Sequence, residues 1–144
     1  MKHARTLFLI ALIVAAAVGL ASLNGATITV VNTNDSGAGS LRQSLASASD
    51  GDTIDFGVTG TITLMTGELL VDKSITINGP GSDHLTVDGN HASRVFHVSG
   101  GVTATIAGLT ISNGSASDWG DGIHNDQSVL TVNNCSIVGN FASG

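Results

Sequence analysis

Tyrosine is missing from the chain, and one tryptophan and four phenylalanines bring its aromatic content to only 3%. Antiparallel sandwiches lean on a core bearing Trp or Tyr, and propeller blades carry aromatic signatures of their own, so neither architecture suits this composition. Cysteine occurs once, at Cys135, which excludes an intramolecular disulfide. Basic residues are scarce: five stand against eleven acidic ones, for a formal net charge of −6. A surface of that sign repels phosphate backbones and argues against nucleic acid as a partner. Zinc-ligand spacing is absent too, because His84, His91, His97 and His124 are scattered, with no His-x-His or His-Glu-x-x-His run. There is no Gly-x-Ser-x-Gly elbow on which to build a serine triad.

What the chain has in quantity is glycine, nineteen residues of it, with Val, Ile, Leu, Thr, Ser and Asn. These are the residues of short strands and tight turns. A repeat organises them. The stretch from Thr105 to Gly114 returns as the stretch from Thr131 to Asn140 at an offset of 26 (131 − 105). Ile106 matches Val132, Leu109 matches Cys135, and Ile111 matches Ile137. A fixed period of this size marks a solenoid. Through its match to Leu109, Cys135 is expected to be a small buried hydrophobe rather than a reactive thiol.

Met1 to Ala26 reads as an export signal, with Lys2 and Arg5 ahead of the apolar stretch Leu7 to Leu20. Small residues at Gly19 and Ala21 suit a cut after Ala21, and Ala26 offers a second, weaker site. Thr27 to Val31 is β-branched and alternating, a strand. Ser40 and Gln43 form a capping box, and Leu41, Leu45 and Ala48 follow at helical spacing. One short helix before a run of strands suits a cap over the first rung, whose edge and apolar cross-section need cover. Short strands and turns fill the rest: 53–56, 61–64, 68–71, 74–77, the turn Asn78-Gly79-Pro80-Gly81, then 84–87, 94–98 and the two repeat units. The expected fold is all-β, a right-handed parallel β-helix of about three rungs. Its strand and capping helix span 27–57 and its rungs 58–144.

From Thr27 to Gly144 the chain resembles the N-terminal part of bacterial secreted right-handed parallel β-helix proteins, including large surface and autotransporter-like proteins with a separate C-terminal anchor. The residues that carry the resemblance are Asn32 to Gln43, Ser74 to Gly81, Ala92 to Phe96, and Gly108-Leu109-Thr110-Ile111. The resemblance is specific for architecture and nearly silent on activity. The signal, the cap, the repeats and the lack of a catalytic set lead us to expect a secreted or cell-surface scaffold, adhesin-like, whose partners are an extracellular polysaccharide or a host or surface protein. The resemblance implies membrane attachment only through an anchor beyond this stretch. Because the chain stops partway through a rung, a longer protein is expected.

Chemistry could concentrate between Ser117 and Asp126, where Asp118, Asp121 and Asp126 accompany Trp119 and His124. Asp121-Gly122-Ile123-His124 resembles the first active-site motif of polygalacturonase-type glycosidases, which makes Asp121 and His124 the catalytic candidates. Such hydrolysis needs a second carboxylate. The repeat places Asn140-Phe141-Ala142 where that acid is due, and no carboxylate stands there. Calcium is the second reading, with Asp118, Asp121 and Asp126 as oxygen ligands, although their spacing fits neither an EF-hand nor a nonapeptide repeat. A lyase would add a basic residue, but Arg42 and Arg94 are far from the acids in sequence. A solvated acidic turn without cofactor is the reading adopted. Trp119 alone is a poor platform for a sugar ring. Asn113-Gly114-Ser115 and Asn134-Cys135-Ser136, which match the glycosylation pattern, are read as turns.

Overall fold

The computed structural model describes residues 24–142. The export signal expected over 1–26 lies outside these residues except for its last three, and so does the cut after Ala21. The chain runs β1 (Thr27–Val30), α1 (Leu41–Ser47), β2 (Thr53–Phe56), β3 (Gly60–Thr63), β4 (Leu69–Val71), β5 (Thr76–Asn78), β6 (Leu85–Asp88) and β7 (Phe96–Val98). It continues with β8 (Thr103–Ala107), β9 (Thr110–Ser112), β10 (Ser115–Ala116), β11 (Ile123–Asn125), β12 (Val129–Asn133), β13 (Ser136–Val138) and β14 (Phe141–Ala142).

Every strand pairing is parallel, and neighbours in each sheet are one turn apart in sequence. The first sheet is ordered β1-β2-β5-β8-β12, the second β13-β9-β6-β3 and the third β11-β7-β4, while β10 and β14 form a two-stranded ribbon. The molecule is a parallel β-solenoid of about four turns, one more than the sequence predicts. The 26-residue repeat is one turn: Ile106 pairs with Val132 and Ile111 with Ile137. Elsewhere the period stretches and shrinks, from 23 between Thr53 and Thr76 (76 − 53) to 29 between Thr76 and Thr105 (105 − 76).

Alternation in strands only three to five residues long decides what faces inward. In the first sheet Ile28, Ile54, Ile77, Ile106 and Val132 stack in register. Ile62, Val87, Ile111 and Ile137 do so in the second, and Leu69, Phe96 and Ile123 in the third. These three columns run through the core, which Leu64, Val71, Leu85, Val98 and Leu109 help to fill. Burial reverses at the last turn, where Val132 is 39% exposed, Ile137 52% and Phe141 66%. Cys135 is accordingly half-buried rather than buried like its counterpart Leu109, because no described turn lies over it.

The corners repeat as strictly as the columns. Gly108 and Asn134 both take left-handed backbone, at φ 64° and 51°, and Asn113 and Gly139 do the same at the next corner, at 53° and 64°. Asparagine tolerates this region better than other side-chain-bearing residues. Both glycosylation-like asparagines are therefore corner residues.

At the first turn α1 replaces the strands that the second and third sheets would otherwise add, packing on β1 and β4. Leu41, Leu45 and Ala48 are its buried stripe. Ser40 caps it, its Oγ accepting from the Gln43 amide at 3.2 Å. The capping box closes on that side only, since the Ser40 amide donates to Gly37 O. Arg42 pins the helix to the solenoid by donating to the carbonyls of Glu68 and Gly67, each at 2.7 Å, and to Asp35 Oδ1 at 2.8 Å. Burial by itself would raise the Asp35 carboxyl, but the hydrogen bonds from Thr66 and Arg42, with the Arg42 charge, outweigh it and hold it below its ordinary value. Among the described residues no helix is long and apolar enough to cross a membrane.

Candidate functional site

Part of the polar set that sequence reading singles out comes together at the outer face of the third sheet. The same alternation that turns Leu69, Phe96 and Ile123 inward turns Leu70, His97 and His124 outward, in register. The His97 and His124 rings are neighbours, with centroids 5.0 Å apart and planes tilted by 58°. The histidines are therefore not all scattered.

Arg94 organises this face. Its side chain is 9% exposed, yet each nitrogen of its guanidinium has an acceptor. Nη1 donates to Glu68 Oε2 at 2.7 Å, and Nη2 to Asp118 Oδ1 at 2.5 Å and to the Trp119 carbonyl at 2.7 Å. Nε is shared between the carbonyls of Trp119 and Gly120. A planar fork of donors suits such a task, and burial without these partners would be costly. The other oxygen of Glu68 meets His97 Nδ1 at 2.9 Å, so one carboxylate joins the arginine to the histidine ladder.

Arg94, far from the acids in sequence, therefore lies directly under the acidic segment. The separations are 24 to Asp118, 26 to Gly120 and 26 to Glu68, each about one turn of the solenoid. Applying the repeat period to Arg94 would have found all three. The segment is also not wholly a turn: Ile123–Asn125 is a strand, aligned with Phe96–Val98. Its approach needs Gly114, where a Cβ would lie 2.0 Å from the Asp121 carbonyl.

The three aspartates are dispersed over different partners. Asp118 pairs with Arg94. Asp121 Oδ1 accepts from the Ala116 amide at 3.2 Å, and its carbonyl accepts from Val95 at the head of the third sheet. Asp126 is exposed and extends the sheet by donating its amide to Val98 O. Asp121 and His124, the catalytic candidates, turn to Ala116 and to His97 respectively. Among the described residues no group of three or more His, Cys, Asp or Glu is arranged to hold a metal ion. Opposite the segment, Phe141 and Ala142 pair with Ser115 and Ala116, and the Asn140 side chain accepts from the Gly114 amide at 2.7 Å.

The first sheet carries a different outer surface. Thr27, Thr53, Thr76, Thr105 and Thr131 occupy one register position on all five strands. Thr61, Thr86, Thr110 and Ser136 form a similar column on the second sheet. A groove of about 340 Å³ lies beside α1 and β4, lined by Arg42, Leu45, Leu69 and Lys73 among others. Comparisons with known protein families, with curated proteins and with solved structures return no match to this chain.

Proposed function

We propose that this chain is an extracellular or cell-surface scaffold of the adhesin kind, without a catalytic set of its own. The observation that carries the reading is the column of five threonines on the first sheet. Strands about 4.8 Å apart set their hydroxyls and methyls at regular intervals along a narrow surface. Such a column suits an extended, repetitive partner, a polysaccharide chain or an extended segment of a surface protein. The role agrees with a bacterial origin, export by the N-terminal signal, attachment through an anchor elsewhere, and the right-handed connections that nearly all parallel crossovers adopt. Residues 24–26 favour the cut after Ala21. Ala26 donates its amide to Asp52 Oδ1 at 2.7 Å, and a cut after Ala26 would remove it from the first turn.

Adsorption to immobilised polysaccharides and extracellular proteins tests this role. Binding to at least one surface is expected, with loss in the double variant Thr76→Lys/Thr105→Lys. Equal adsorption by the double variant, or no adsorption by the parent chain, contradicts it.

A second reading draws on Arg94 beside Asp118: an acid next to a base on the outer face of a parallel sheet suits the N-terminal part of a polysaccharide lyase or hydrolase. The guanidinium donors are already engaged by Glu68, Asp118 and two carbonyls, which suits a strut better than a reagent.

A further inference from the structure

His97 is held in an unusual way for a strand residue on an outer face. Its Nδ1 lies 2.9 Å from Glu68 Oε1, so in the neutral ring the carboxylate holds the proton on Nδ1 and the lone pair falls on Nε2. That Nε2 is shielded from solvent and has no hydrogen-bond partner. Buried polar atoms without partners are rare in folded proteins and call for an explanation. A carboxylate that orients one nitrogen of an imidazole while the other stays free is the arrangement found behind metal-bound histidines. His124 completes the argument, because β11 pairs with β7 and sets its ring beside that of His97.

We propose that His97 and His124 form a two-imidazole site for zinc, with Glu68 as the positioning residue for His97. Zinc–nitrogen bonds of about 2.0–2.1 Å at a tetrahedral angle put the centroids of two ligating imidazoles about 5 Å apart. The observed separation is 5.0 Å, before any adjustment of the rings. The two rings are fewer than the four side chains of a closed zinc cage or the three of an open one, so the remaining positions fall to water reaching the ion from the side of His124, which is half-buried. The Arg94 charge nearby is matched by Glu68 and Asp118, so the locality does not repel a cation. The site is independent of the threonine column and of the proposed binding role.

Calorimetric titration of zinc into the untagged full chain tests the proposal. It is run in a His3→Gln/His84→Gln/His91→Gln background, which removes the other imidazoles and a chelating N-terminus. One saturable equivalent is expected, lost in His97→Gln and in His124→Gln, with cobalt(II) giving a tetrahedral absorption band in the same background. Absence of saturable binding overturns the proposal, as does binding that survives in the double variant His97→Gln/His124→Gln. Should the variants fail to fold, imidazole ¹⁵N spectra of the parent chain decide: zinc must shift the Nε2 resonances of His97 and His124, and no shift at either ring refutes the site.

Discussion

At the residue scale the clearest feature is Arg94, a buried cation that ties three turns together. It holds the 117–122 segment through Asp118, Trp119 and Gly120 and reaches back one turn to Glu68. Replacing it with methionine is expected to destabilise the protein by about 1.5–3 kcal/mol, the range for hydrogen bonds to a charged group. The figure stays at that level because Glu68 and Asp118 both reach water. The loss is local, so amide exchange over 115–122 should quicken while β5 and β8 stay protected. Unchanged exchange there would refute the strut. None of this was legible residue by residue. Arg94 and Asp118 look unrelated along the chain, and only the period makes them neighbours. His97 and His124 are the same case: 27 residues apart (124 − 97), they become adjacent once strands are stacked.

At the scale of elements, β-branched strands with clear inward positions were readable, and the columns of Ile54, Ile77 and Ile106 follow from alternation alone. The strand Ile123–Asn125 was not, because its own sequence is polar and glycine-flanked. It forms because Phe96–Val98 already presents an edge with the right spacing. The helix α1 was readable from Ser40 and the stripe Leu41, Leu45 and Ala48, but its attachment through Asp35, Arg42 and Thr66 was not. That attachment has a pH signature. Because the folded Asp35 carboxyl titrates below its ordinary value, it adds stability that is complete above about pH 4 and is lost as pH falls through the lowered value. Thermal melts across the acid range should therefore show a steeper acid limb for the parent chain than for Asp35→Asn. Parallel limbs would remove Asp35 from the account.

At the scale of the whole molecule the two ends of the described solenoid differ. α1 closes the first turn, while the last leaves Val132, Ile137, Val138 and Phe141 exposed beside the unpaired edges of β12 and β13. Open strand edges with apolar neighbours template association. The 144-residue chain on its own should sediment as a concentration-dependent mixture, and Ile137→Asp should shift it toward monomer; a parent that stays monomeric at all concentrations contradicts this. The architecture was legible because a repeat constrains every turn at once. The role was less so, because ladders of threonine and isoleucine specify a fold without specifying chemistry.

The central claim is that the outer faces bind and do not transform. Incubating the full chain with polygalacturonate and alginate, and assaying reducing ends and unsaturated uronides, tests it most directly. The account predicts no product above the buffer control; product release that disappears in Asp121→Ala would contradict it.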